Sequence, residues 1–310
     1  MEKTLQKIAN LLILNFQNIE NLGLINGKMG VAIFLYHYAR HSFQSVYSDQ
    51  ADDLLDELFA ALNESHFLID GVSSIGFGLD HLIKNRFIET DENPDELFKD
   101  VDVRLSIDMD NQCVLDLRSN FPIFSVGFYT LSRIKTTSRT VQKNKLLKSS
   151  LEGIDKIFSY EKQWMVPVFT NSIIRFLIGV SAHGLYKKKV EKLQKKALLF
   201  VLNTFTETTY RPIDIAILQY LLSSAKSDSG LVDKIMVRIN QFEVSPYNDS
   251  DIDTVLRDLQ QLSLYPNLSY PDIPKLSIEK YIDDCIEASS FPNLSLLPHI
   301  GLNIMGVKLC

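Results

Sequence analysis

Apolar positions recur with helical period along nearly the whole chain, in pairs of unlike segments. Residues 4–18 place Leu5, Ile8, Leu11, Leu12 and Phe16 on one side, which predicts an amphipathic helix. The stretch after it, Gly23 to Arg40, opens with Gly23, Gly27 and Gly30 and then runs through Val31, Ile33, Phe34, Leu35 and Tyr38 with little polar face. A helix apolar nearly all round is buried on most sides. The same alternation follows. Polar-faced segments at 49–67, 95–109, 143–160, 187–206, 231–243 and 277–288 alternate with more apolar ones near 70–84, 120–133, 166–179, 211–222, 251–263 and 293–309. The alternation Val101-Asp-Val-Arg-Leu-Ser-Ile has a period of two and leaves a short strand open as an alternative over 101–107.

The pairs repeat at a fixed spacing. From Gly30 to Gly78 is 48 positions and from Gly78 to Gly127 is 49, while a further 49 reaches Phe176, where the helix persists without its glycine. Periods of roughly 20–50 residues mark arrays of one supersecondary unit. The expected fold class is all-α: an α/α toroid, a closed ring of six to seven helical hairpins with polar-faced helices outside and apolar ones inside. A closed ring removes the end faces that an open solenoid must cap. No Gly/Ser-rich linker interrupts it, so residues 1–310 read as a single domain.

A glycine-rich turn before a helix could cradle a phosphate on backbone N–H groups. No strand precedes Gly23 and no Lys-Ser/Thr pair follows Gly30, so this is not a P-loop. Composition changes the picture little: 45% apolar and 23% charged residues describe a chain with a sizeable core. With 32 basic and 38 acidic residues the net charge is −6, which argues against nucleic acid as a partner. Lys187-Lys188-Lys189 and Lys195-Lys196 read as a solvated helix face. Cys113, Cys285 and Cys310 are odd in number and lack a CxxC pair, so a reducing compartment is expected. Residues 1–10 do not read as a signal peptide, and no run of roughly 18 apolar residues occurs. The expectation is a cytoplasmic protein without a membrane span.

Gly23-Leu-Ile-Asn-Gly-Lys-Met-Gly-Val-Ala-Ile-Phe-Leu-Tyr-His-Tyr-Ala-Arg40 resembles the first inner-helix motif of lanthionine synthetase C-like proteins. Gly71-Val-Ser-Ser-Ile-Gly-Phe-Gly-Leu-Asp-His-Leu-Ile resembles the second, and Leu296-Leu-Pro-His-Ile-Gly-Leu-Asn-Ile-Met-Gly a worn last one. The match is specific over the first 90 residues. The resemblance implies a toroid of seven hairpins and, in the family's enzymes, thioether ring formation between cysteine thiols and dehydrated Ser/Thr of a precursor peptide. It also implies a zinc on two cysteines and one histidine at late inner-helix starts, where the metal makes the thiol a thiolate.

Here the chain departs from the family. The corresponding late starts read Tyr210-Arg-Pro-Ile-Asp and Tyr247-Asn-Asp-Ser-Asp, with neither Cys nor His. Ala182-His-Gly184 echoes a Cys-His-Gly motif but lies at the end of an apolar helix, where Gly184 reads as a C′ stop. No cofactor or metal is therefore expected, and no catalytic residue is assigned. The candidate binding residues are the polar ones at inner-helix starts: Asn26, Lys28, Asp70, Ser73, Asn120, Asn171, Arg211, Asp214 and His299. Each also reads as a helix cap; together, around one mouth, they form the default binding-site expectation.

The expected function is a metal-free scaffold that binds a peptide or partner protein in a peptide-maturation setting. Two alternatives stand beside it. One is a carbohydrate-active or other toroid enzyme using cavity carboxylates, for which Asp70 and Asp214 are the acids available at helix starts. The other is a zinc enzyme with relocated ligands.

Overall fold

The computed structural model describes residues 2–62, 69–91, 93–111, 122–136, 140–160, 165–205, 210–224, 229–241, 256–258, 260, 264–265, 268, 275–288, 294–307 and 309. Every regular element among them is helical. The helices are α1 (Glu2–Asn15), α2 (Lys28–Ser42), α3 (Val46–Leu62), α4 (Ile69–Lys84), α5 (Pro94–Leu97), α6 (Lys99–Asn111) and α7 (Pro122–Thr136). There follow α8 (Val141–Tyr160), α9 (Pro167–Ala182), α10 (Lys187–Thr204), α11 (Pro212–Ser224), α12 (Ser229–Ile239), α13 (Lys275–Ala288) and α14 (Leu297–Ile304). None of the helices is long and apolar enough to cross a membrane among the described residues. Pro167 and Pro212 open α9 and α11, the place where a missing N–H is harmless.

The strand alternative over 101–107 is overturned, because these residues lie inside α6. Its buried positions are Asp102, Leu105, Ser106 and Met109, the i, i+3, i+4, i+7 face of a helix, while Val103 and Ile107 stay exposed. Two polar residues on the inner face and two apolar ones on the outer face imitated a period of two. The segment from Asp70 to Gly78 is helical throughout, since α4 begins at Ile69.

The chain forms two compact units. One comprises 1–93 with 247–310, the other 94–246. In the first, α2 is the central helix: Met29 through Leu35 are wholly buried, and α1, α3, α4 and α14 all pack on it. The last helix thus meets the first hairpin. In the second, α7, α9 and α11 adjoin in sequence as one layer, and α6, α8, α10 and α12 as another, with α7–α8 and α9–α10 as hairpins across the layers.

Gly78 and Gly127 lie where two apolar helices cross within their respective units, α4 on α2 and α7 on α9. A Cβ on Gly78 would lie 2.4 Å from the Met29 side chain, and one on Gly127 would lie 2.7 Å from the Phe176 ring. The position one repeat after Gly127 is thus the bulky partner that fills its notch. Glycine at one crossing member and a large side chain at the other set a close interaxial distance.

α9 ends in a Schellman motif. Gly184 N–H donates to Ser181 O at 2.9 Å and Leu185 N–H to Val180 O at 3.4 Å, with Gly184 at φ +67°. The reading of Ala182-His-Gly184 as a helix stop holds.

Candidate functional site

The glycine turn before α2 uses its own amides. Lys28 N–H donates to Asn21 O at 2.8 Å, Met29 N–H to Leu22 O at 3.3 Å and Gly30 N–H to Gly27 O at 3.0 Å. Asn21 Oδ1 accepts from Gly23 N–H at 2.7 Å, an Asx turn. With these donors engaged, the start of α2 does not offer the open amide row that a phosphate cradle needs. His299, wholly buried on α14, donates from Nε2 to Leu24 O at 3.2 Å and so fastens the last helix to this turn.

The nine candidate residues divide between the two units. In the first, Asn26 is exposed at φ 58°, and its Oδ1 accepts from Gln260 Nε2 at 2.5 Å. Lys28 is buried and its ammonium pairs with Glu57, so it faces α3. Ser73 is wholly buried in α4, and Asp70 lies in that helix's first turn with its side chain outside the described residues. In the second unit Asn120 lies outside the described residues.

Asn171, Arg211 and Asp214 do come together. Asn171 Nδ2 donates to Asp214 O at 2.9 Å, linking α9 to α11. Arg211 Nε donates to Asp214 Oδ2 at 3.0 Å, and Arg211 N–H reaches the same oxygen at 3.3 Å. Asp214 is only 2% exposed. A buried carboxylate already engaged by a guanidinium is not an open acid for glycosidic chemistry. Asn171 Oδ1 is buried and finds no hydrogen-bond partner among the described residues.

The late helix start was also the place for a zinc ligand, and its residues do not fit one. Tyr210 is buried with its ring centroid 4.7 Å from that of Phe205, and burial pushes its hydroxyl pKa up to about 12. An arginine–aspartate clamp beside a neutral phenol supplies no thiolate or imidazole. Tyr247–Asp251, Cys113 and Cys310 lie outside the described residues, as does the side chain of Cys285 on α13. Among the described residues no three His, Cys, Asp or Glu side chains gather to hold a metal.

Two polar centres were not among the expected site residues. Where α2 crosses α4, His37 Nε2 lies 3.0 Å from His81 Nε2, so one imidazole N–H donates to the other's lone pair. Burial holds both rings neutral, taking His37 down to about 3 and His81 to about 4, with Arg40 and Lys84 adding to the effect at their respective neighbours. Asp80 acts against it at His81 but is itself paired with Lys84. Phe87 meets the His37 ring edge-on at 4.6 Å, and Arg40 lies 3.6 Å over Phe87 while donating to Asn85 O at 2.8 Å.

Only the crossing of α2 and α4 brings His81 to His37, 44 residues away in sequence. His299, also buried, is taken down to about 4. An unfolded histidine titrates near 6.5. The unfolded chain therefore binds more protons than the native one between about pH 6.5 and pH 4, and stability falls as pH falls through that window. We expect up to ~1.4 kcal/mol lost per pH unit per group. His81→Asn should flatten the slope of urea-unfolding free energy against pH; an unchanged slope would show that the pair does not titrate on unfolding.

The other centre lies in the second unit. Tyr129 OH on α7 donates to Asp102 Oδ1 at 2.7 Å, Lys143 Nζ on α8 reaches Asp95 Oδ1 at 2.5 Å, and Arg133 Nη2 reaches the same oxygen at 3.5 Å. Arg133, Lys143 and Tyr129 are wholly buried, and the guanidinium sits 4.1 Å above the Phe98 ring. Burial raises the pKa of Asp102 despite the Tyr129 hydrogen bond and the two cations. Tyr129 and Arg133, four apart on the same face of α7, were the available signal. Charged groups held in this way order a core and are poorly placed to meet a substrate.

No protein-family model, no curated protein and no solved structure matches this chain.

Proposed function

We propose that the chain is a lanthionine synthetase C-like scaffold that binds a peptide or partner protein in a peptide-maturation setting and does not carry out zinc-dependent cyclisation. The observation that carries the reading is the late helix start. Where the resemblance calls for a metal-bound cysteine, Arg211 clamps the buried Asp214, and Asn171 is tied to the same turn. The half-buried Arg211 guanidinium suits the carbonyl groups of a peptide, and it generates no thiolate. The closed toroid belongs to this proposal, supported by the 48- and 49-residue glycine spacing and the packing of α14 on α2.

The test uses the full chain, zinc and a precursor-type peptide bearing dehydroalanine and a cysteine. Ring closure adds the thiol S–H across the dehydroalanine double bond without changing mass, so free thiol is counted by alkylation and binding is read by anisotropy. Expected is binding with the thiol count unchanged, weakened about tenfold or more by Arg211→Ala, as loss of one charge-assisted contact predicts. Thiol consumption on the protein, or no binding, overturns the proposal.

A further inference from the structure

Charge is distributed unevenly over the two units. The first carries 10 basic and 22 acidic residues, net −12, and the second 22 basic and 16 acidic, net +6. Each excess concentrates on one helix or helix pair. Leaving aside the buried Lys143, α8 and α10 hold nine lysines against Glu152, Asp155 and Glu191. Glu152 and Asp155 lie between these two helices, where they pair with Lys148, Lys189 and Lys196. Lys188, Lys192 and Lys195 remain exposed on the outward side of α10 with no hydrogen bond or ion pair among the described residues, Lys192 adding only to the field on Asp155. On α3, Asp49, Asp53 and Asp56 are exposed, and that helix contains no basic residue.

The two stripes have the same spacing. Asp49, Asp53, Asp56 and the exposed Ala60 step by four, three and four; Lys188, Lys192, Lys195 and Leu199, itself 39% exposed, step identically. A constant offset of 139 therefore carries the acidic stripe onto the basic one, ending on an apolar pair. Steps of four, three and four keep the residues of each stripe on one face of their helix. Laid parallel, each carboxylate meets an ammonium, and complementary charge across an interface selects the partner and fixes register.

We propose that α3 of one copy of this chain docks along α10 of a second copy through these matched stripes. A separate acidic partner fits the lysines equally in sign, but the shared register favours a second copy. Lysines without arginine or interleaved aromatic residues along the stripe also lack the bidentate and stacking groups of nucleic-acid surfaces.

Sedimentation velocity on the full chain tests this at about 0.01 M and about 1 M ionic strength, where the screening length falls from ~30 Å to ~3 Å. Expected is at least a doubling of mass at low salt, lost at high salt. Lys188→Glu/Lys192→Glu/Lys195→Glu and Asp49→Lys/Asp53→Lys/Asp56→Lys should each be monomeric, with unchanged circular dichroism. An equimolar mixture of the two should associate again, because each now complements the other. Lys192→Glu alone should shift the midpoint of association to lower salt. A wild-type chain that stays monomeric at low salt, or triple variants that associate like wild type, overturns the proposal. So does a monomer that captures poly-glutamate or a single-stranded oligonucleotide on α10, since the lysines would then serve a different polyanion.

Discussion

Asp95→Ala should destabilise the protein by about 3–5 kcal/mol, the cost of leaving a buried charge without its partner. Two wholly buried cations, Lys143 and Arg133, both reach Asp95 Oδ1. Among the described residues the nearby carboxylate that then remains is Asp102, which is already engaged by Tyr129 and whose pKa burial pushes up. A second unit of about 150 residues converts each kcal/mol into roughly 2–4 °C, so the melting temperature should fall by roughly ten degrees. Lys143→Met should cost less, because Asp95 keeps Arg133 and the methionine fills the space of the lysine stem. Urea melts of the two variants decide the matter. If Asp95→Ala loses under about 1 kcal/mol, the cluster is solvated and the account of it as a structural centre fails.

What the sequence disclosed follows from the range over which each signal acts. Helices declare themselves through local periodicity, so the all-helical class and most helix limits could be read directly. The glycine spacing at 30, 78 and 127 was legible too, because a crossing that admits no Cβ on Gly78 or Gly127 repeats with the hairpin. The α6 segment misled for a physical reason: while Ser106 satisfies its hydroxyl on the Asp102 carbonyl, Asp102 sits on the buried face because Tyr129 of α7 requires an acceptor there. Such a demand originates in other helices and leaves no mark within 101–107.

The candidate site was less legible. Polar residues at helix starts look alike whether they face a cavity or the neighbouring helix. Lys28 points to Glu57, His299 to the Leu24 carbonyl and Asn171 to the Asp214 carbonyl, each choice made by a partner distant in sequence. The His37–His81 contact joins residues 44 apart, one repeat minus a helical turn, so it depended on knowing how α2 and α4 cross.

Gly27→Ala should be the most damaging of the glycine substitutions. A Cβ there would lie 2.3 Å from Gly23 O, 2.6 Å from Gly23 N and 2.8 Å from Asn21 O. All three are backbone atoms, and two of them are fixed by the Asx turn and by the Lys28 amide. Relief requires opening the turn that starts α2, the helix on which the first unit is assembled. The cost should reach or exceed the upper end of the ~1–3 kcal/mol typical of overpacking. Gly301→Ala should cost less. Its Cβ would come 2.1 Å from the Phe34 ring, which is a side chain and can tilt by displacing its neighbours, within the same ~1–3 kcal/mol. Gly184→Ala meets nothing within 4 Å and bears only the left-handed strain at φ +67°, roughly 1–2 kcal/mol. Urea unfolding of the three variants should therefore rank them Gly27, Gly301, Gly184 in falling severity. A Gly27→Ala protein as stable as Gly184→Ala would mean that the turn relaxes freely, and the close backbone approach would then not be what the glycine is for.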